Sequence, residues 1–254
     1  MNKTPALDLE DWHQRYLQQA SWSQDVRRHL LEKVTLLPGD KILEVGSGTS
    51  AVLSLMAQET ESMPFGIDID LPSLNFSAKR NQRLHLSGAD GYRLPFPDST
   101  FALTYCHYLL LWVEDPRSIL GEMARVTRSG GGIIALAEPD YLARIDAPLT
   151  LEVLGDMQND ALKAQGADIA TGRKLSGLFF QAGLKDITVG ILGAHWRQDS
   201  LQNIDEREWG MIQSDLADVL PQESIDLFHN EEIKARGTGE RILFIPTFYA
   251  AATK

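Results

Sequence analysis

The chain holds a single cysteine, Cys106, in 254 residues. A lone thiol excludes an intramolecular disulfide and every zinc or iron–sulfur site built on several thiolates; no metal site is expected, and a reducing, cytoplasmic compartment fits. A basic surplus is lacking too, since 24 Lys and Arg face 35 Asp and Glu for a net charge of −11. Nucleic-acid binding leans on a basic surface that displaces counterions, so nucleic acid is not an expected partner, and an anionic membrane surface is disfavoured on the same ground. The longest apolar run, Ser99 to Val113, is closed by Asp98 and Glu114 and falls short of the ~18–20 residues a spanning helix needs. The opening Met1-Asn2-Lys3-Thr4-Pro5 leads into Asp8, Glu10 and Asp11 with no apolar stretch behind it, which does not read as a signal peptide. Repeats and low-complexity stretches are also missing, which argues against solenoids and linker-joined modules.

What the chain does have is an alternation. Short aliphatic or β-branched runs at Lys41–Val45, Pro64–Ile69, Arg83–Ser87, Phe101–Cys106 and Gly132–Ala137 are separated by segments of helical periodicity. Nearly continuous apolar runs suit strands covered on both faces, so the fold class is α/β with a largely parallel sheet. Ser21 and Gln24 have capping-box spacing ahead of Val26, Leu30 and Val34, and Asp115-Pro116 supplies an N-cap and a first-turn proline. Beyond Ala137 the reading places helices over about 149–165 and through Ala182, a strand over about 186–192, a polar helical stretch over about 201–234 and a last strand from Arg241 to Tyr249.

The strongest local signal is Lys41-Ile42-Leu43-Glu44-Val45-Gly46-Ser47-Gly48-Thr49-Ser50, a strand ending in Gly-x-Gly and turning straight into a helix. Such a turn lets a ligand lie against bare backbone, and the helix N-terminus offers unpaired N–H groups to an anion. The same residues also satisfy a dinucleotide fingerprint. Asp68 ends the next strand, twenty-two positions after Gly46, close to the ~20 expected for a carboxylate on ribose hydroxyls in either case. Glu44 separates the two readings, because a carboxylate beside the loop suits a cationic amine and not a pyrophosphate.

Further along lie Gly88-Ala89-Asp90, then Leu94-Pro95-Phe96-Pro97-Asp98, and finally Glu122-Met123-Ala124-Arg125-Val126 with Gly130-Gly131-Gly132. With these motifs the sequence resembles the class I S-adenosylmethionine-dependent methyltransferases, in particular the ubiquinone/menaquinone-biosynthesis-like group (methyltransferase type 11), strongly over about 39–140. The resemblance implies a Rossmann-like seven-stranded sheet in the order 3-2-1-4-5-7-6, with the last strand antiparallel. It implies one methyltransferase domain over 1–254: N-terminal helices to 38, a cofactor-binding core over 39–140, and helical insertions at 145–168 and 200–236 forming a lid. Glu44, Gly46, Ser47 and Gly48 would form the methionine-end loop, Asp68 would bind the ribose with Ile69 beside it, and Ala89, Asp90 and Gly91 would meet the adenine, with Cys106 closing the site. Two departures stand out: Ser50 occupies the third small position of the loop, and Phe101-Ala102 stands where the family usually has Phe-Asp.

The acceptor side is expected at the ends of the fourth and fifth strands. His107 is placed to deprotonate a nucleophile, although a strand-end histidine bonded to backbone carries the same signature. Glu138 and Tyr141 border the same crevice, and Arg173 matches a Gly-Arg-x-Leu element of some relatives. Trp12 and Tyr16 at i, i+4, with His195, suit a planar or lipophilic small-molecule acceptor; aromatic stripes of this kind also serve as packing. The cofactor expected is S-adenosyl-L-methionine, leaving as S-adenosyl-L-homocysteine. The alternatives are an NAD(P)-dependent oxidoreductase, which has no use for Glu44 or Asp90, and a non-catalytic S-adenosylmethionine-binding module.

Overall fold

The structure, a computed structural model, describes residues 8–192 and 206–254. These fall into two compact units, one of 8–138, 171–192 and 247–254, the other of 139–170 and 206–246. Among the described residues no helix is long and apolar enough to cross a membrane.

The first unit is built on β1 (Lys41–Val45), β2 (Met63–Asp68), β3 (His85–Gly88), β4 (Phe101–Cys106), β5 (Thr127–Pro139), β7 (Lys185–Ile191) and β9 (Thr247–Thr253). Their order is β3-β2-β1-β4-β5-β9-β7. Counted among themselves in chain order, these strands run 3-2-1-4-5-7-6, as the resemblance implied. β1 pairs in parallel with β2 and β4, β2 with β3, and β4 with β5, while β9 runs antiparallel to β7. Period-two alternation sends Ile133 and Ala135 into one core and Ile134 and Leu136 into the other. The central strands are covered on both faces, which is why their sequence runs are nearly all apolar; β4 is buried at every position. Burying each such aliphatic side chain contributes ~1.5–3 kcal/mol.

Helices α1 (Leu9–Trp22), α2 (Gln24–Leu31), α3 (Ala51–Thr60), α4 (Leu71–Arg80), α5 (Pro116–Val126) and α7 (Thr171–Gln181) belong to the same unit. Asp115 caps α5 as expected, accepting from the N–H groups of Arg117 and Ser118. The Ser21–Gln24 box does not form. The helix runs through Ser21, whose hydroxyl donates to the Gln18 carbonyl at 2.6 Å. The real capping box lies at the other end, with Asp8 accepting from the Asp11 N–H and Asp11 from the Asp8 N–H.

In the second unit, β6 (Ile145–Ala147) and β8 (Ile242–Phe244) form a two-stranded antiparallel sheet. The single final strand expected from Arg241 to Tyr249 is therefore two strands. Pro246 falls between them; it has no N–H to donate to a ladder, and its carbonyl instead accepts from the Asp140 N–H at 2.8 Å. Helices α6 (Glu152–Ala164), α8 (Glu206–Leu216) and α9 (Gln222–Thr238) enclose Leu151, Leu154, Trp209, Ile212, Leu216 and Ile225. Beside this core Arg241 Nε donates to Glu232 at 2.5 Å, Arg236 Nε to the other oxygen of Glu232 at 2.8 Å, and Arg144 Nε to Asp146 at 2.6 Å. Removing one partner of such a buried pair leaves an uncompensated charge, at a cost of ~3–5 kcal/mol.

Candidate functional site

Past β1 the chain stays tied to β2, since the N–H groups of Gly46 and Ser47 both donate to the Ile67 carbonyl at 2.9 Å. The reversal into α3 then needs left-handed backbone. Gly46 has φ 74°, Gly48 φ 48° and Ser50 φ 56°. Ser50 thus takes a conformation that glycine adopts with less strain. The hydroxyls of Ser47 and Ser50 are buried and have no hydrogen-bond partner among the described residues, and the Ser50 side chain does not cap α3. Two orphaned hydroxyls at an uncapped helix start fit a bound carboxylate, which would use the donors the protein leaves idle.

Glu44 is 2% exposed, with the Tyr105 hydroxyl 3.5 Å from its carboxylate. Burial pushes its carboxyl well above the usual range, and the charge of Asp68 adds to that. A neighbouring cation would relieve both effects, which suits the ammonium of the expected cofactor. Asp68 accepts from the Gly48 N–H at 2.6 Å and from the Asp70 N–H at 2.8 Å, so it is part of the loop's own bonding. Ile69 beside it is 77% exposed, an apolar face of the kind a purine covers. The Ala89 N–H donates to the Asp68 carbonyl at 3.0 Å and so brings the end of β3 alongside. Asp90 is exposed and accepts from the Tyr92 N–H at 2.9 Å. Gly91 is wedged close, for a Cβ there would lie 3.0 Å from Ile119 and 3.2 Å from Val45. The expected cofactor residues Glu44, Gly46, Ser47, Gly48, Asp68, Ile69, Ala89, Asp90 and Gly91 therefore lie at the carboxyl ends of the neighbouring strands β1, β2 and β3 and in the turns after them, where ligands bind in open α/β sheets.

Other expected site residues meet different environments. Cys106 is buried at the end of β4, its thiol pushed well up by burial, with Glu138 and Glu44 adding to the effect; it packs. His107 is 9% exposed and its Nε2 has no partner among the described residues. Burial, together with the charge of Arg27, pushes its pKa down to about 3. At neutral pH the ring is uncharged and well below the range suited to general-base work, so it offers the site an idle polar atom more than a proton carrier. Glu138 is corrected from pocket wall to anchor. Fully buried, its carboxylate accepts from the N–H groups of Leu109 at 3.0 Å, Leu110 at 2.9 Å and Leu111 at 3.2 Å, which fixes the 3-10 turn Leu110–Trp112.

On α1, the rings of Trp12 and Tyr16 are 5.7 Å apart. A Cβ on Gly48 would lie 3.6 Å from the Tyr16 ring, so this helix brings an aromatic face to the glycine loop. Burial raises the Tyr16 phenol to about 12, with Asp68 and Asp70 contributing. Arg173 is exposed on α7, and Tyr141 belongs to the second unit, where its carbonyl accepts from Asn159 at 3.2 Å. His195 lies outside the described residues. One loop contact escaped the sequence reading: His13 Nδ1 lies 2.9 Å from the Thr49 hydroxyl, with its ring 5.5 Å from Phe76. The available signal was its i, i+3 relation to Tyr16, which sets both on one helix face.

Residues 43–135 match a family model described as a methyltransferase domain. The demethylmenaquinone methyltransferase of Corynebacterium urealyticum is 37% identical over 117 residues, covering 46% of this chain and 47% of that protein. That of Lysinibacillus sphaericus is 28% identical over 187 residues, covering 66% and 77%. The chain thus spans about half the length of the first of these relatives. Among solved structures, phosphoethanolamine N-methyltransferase 2 of Haemonchus contortus, in complex with phosphomonomethylethanolamine and S-adenosylhomocysteine, shares the fold with a TM-score of 0.61 at 14% identity, over 92% of this chain and 52% of that one. The matched segment runs from the first strand into the fifth, so over that stretch the chain is similar to methyltransferase domains, and its strand order goes with the fold it shares with the solved methyltransferase.

Proposed function

We propose that this chain transfers a methyl group from S-adenosylmethionine to an oxygen, nitrogen or carbon nucleophile of a small molecule. The observation that carries the reading is the left-handed Gly46–Ser50 turn with two buried hydroxyls that have no partner among the described residues, set beside buried Glu44 and the loop-bonded Asp68. When bound, the cofactor supplies a methyl activated by its sulfonium: the acceptor–carbon bond forms as the carbon–sulfur bond breaks, and the thioether leaves with the bonding pair. The protein's part is to bind and orient. The loop N–H groups, with Ser47 and Ser50, hold a carboxylate; Glu44 faces an ammonium; Asp68 takes ribose hydroxyls on its remaining lone pairs. Asp90 reads the adenine amino group and Ile69 covers the ring. In-line transfer from an activated donor needs positioning and exclusion of water more than a dedicated base, which agrees with the neutral, buried His107.

Trp12 and Tyr16 support a planar or lipophilic acceptor, and the two relatives named above are demethylmenaquinone methyltransferases. A lid role for 145–168 and 200–236 is part of the same proposal, as is a cytoplasmic location; amide exchange that slows in those segments on adding S-adenosylhomocysteine tests the lid. The central test is calorimetry with S-adenosylhomocysteine and with NADH, followed by transfer of labelled methyl into a metabolite extract. Binding of the first alone, with label in a small molecule, is expected. Binding of NADH instead sinks the reading in favour of an oxidoreductase, and binding without transfer leaves a non-catalytic module.

A further inference from the structure

The Glu122–Arg125 element of α5 touches none of the positions assigned to the cofactor, yet its bonding is unusually complete. All five N–H donors of Arg125 are used: Nε on Glu122 Oε1 at 2.7 Å, Nη1 on the Phe96 carbonyl at 2.9 Å and Asp98 Oδ1 at 2.8 Å, Nη2 on the Leu94 carbonyl at 2.9 Å and Glu122 Oε2 at 2.8 Å. Glu122 Oε2 in turn accepts from the Leu94 N–H at 2.8 Å. The pair therefore grips Leu94 by both of its backbone groups, as a neighbouring strand would. Leu94 itself is 3% exposed, a plug that fixes the depth of the segment. Just upstream, the turn closes through Arg93 N–H on the Asp90 carbonyl at 3.0 Å and Tyr92 N–H on the Asp90 carboxylate at 2.9 Å. α5 and its cap supply two more moorings: Ile119 against Gly91, and the Asp115 N–H donating to the Tyr92 hydroxyl at 2.9 Å.

We propose that Glu122 and Arg125 are positioning residues for base recognition: by clamping Leu94 and the segment to Asp98, they hold the Asp90 carboxylate where it reads the 6-amino group of the purine. This rests on the methyltransferase reading and deepens it. Asp90 is exposed, and among the described residues its carboxylate accepts only from the Tyr92 N–H of its own turn, so the clamp four residues away helps to set its position. A hydrogen bond that selects one exocyclic group over another depends on placement to a few tenths of an ångström. Lysine cannot replace the clamp, because an ammonium has three donors at one point and no planar fork.

The experiment is calorimetry on the full chain with two probes, S-adenosyl-L-homocysteine and S-inosyl-L-homocysteine, which carries a 6-oxo group in place of the amine. Wild type is expected to prefer the adenosyl compound at least about tenfold, since a carboxylate accepts from an amine and repels a carbonyl oxygen. In R125M the preference is expected to fall toward about twofold. A clamp with only a structural role weakens both ligands alike and preserves the ratio, and a preserved ratio overturns the proposal. Should R125M fail to fold by circular dichroism, E122Q replaces it with the same expected loss of preference, because glutamine has one acceptor oxygen where the carboxylate uses two, so its NH2 opposes a donor, either the Arg125 Nε–H or the Leu94 and Arg125 Nη2 donors. Wild type that binds both probes equally also overturns the proposal while leaving the methyltransferase reading intact. Wild type that binds neither sinks that reading and the proposal with it.

Discussion

Glu138→Gln sets two opposing effects against each other at one carboxylate. Three backbone N–H groups point at the Glu138 side chain, which favours its charged form, and complete burial favours its neutral form. Burial prevails, and the pKa is pushed up from 4.5 to about 7. A folded-state pKa above the unfolded one means the native protein binds this proton more tightly. Its contribution to stability is then fully present below pH 4.5 and is lost as the pH rises through 7. The gap between those values corresponds to about 3 kcal/mol. Glutamine keeps the size and cannot titrate. Urea unfolding of wild type and E138Q from pH 4.5 to pH 8 is expected to show wild type losing about 3 kcal/mol relative to the variant across that range. Parallel profiles refute the argument. So does a wild type that gains on the variant as pH rises, which would mean that the three N–H donors outweigh burial.

Two further outcomes follow from the glycine loop. Asp68→Ala is expected to weaken S-adenosylhomocysteine binding by ~1.5–3 kcal/mol in calorimetry and also to lower unligated stability, because it strips acceptors from the Gly48 and Asp70 N–H groups; unchanged affinity removes Asp68 from the site. Gly46→Ala forces a side chain onto φ 74° and into Leu109, 2.8 Å from the new Cβ. The expected loss is ~1–2 kcal/mol in urea unfolding, and a loss within ±0.5 kcal/mol shows that the loop can relax.

Features that one segment's own chemistry dictates were legible before the fold was known. The runs at 41–45 and 101–106 match β1 and β4 residue for residue, because strands buried on both faces carry nearly continuous apolar runs that stand out from their flanks. The Asp115-Pro116 cap formed as read. The Asp8–Asp11 box of the first helix was missed, because aspartate stands at the position where glutamate or glutamine is the usual mark. The last strand was misjudged because Ile242–Phe244 and Thr247–Thr253 are both good strand sequences, and only the sheet each joins reveals the break at Pro246.

The electrostatics of the site could not be read this way, because they depend on which distant segments remove water from a side chain. Glu44 and Glu138 show the difference. Both are glutamates in β-strands of one sheet, both are buried, and in sequence either suits a crevice. Glu138 meets the backbone of Leu109, Leu110 and Leu111, some 27 to 29 positions away, which occupies both of its oxygens. Glu44 has one backbone donor, Leu53, the long Tyr105 contact and the charge of Arg27 to set against burial and the charge of Asp68, and burial prevails. A carboxylate already bound to three amides gains little from a ligand cation, whereas one held in low dielectric with a like charge nearby gains a great deal. Of the two, Glu44 is therefore the carboxylate whose electrostatics a bound ammonium would complete, and it stands two residues from the loop that would present one.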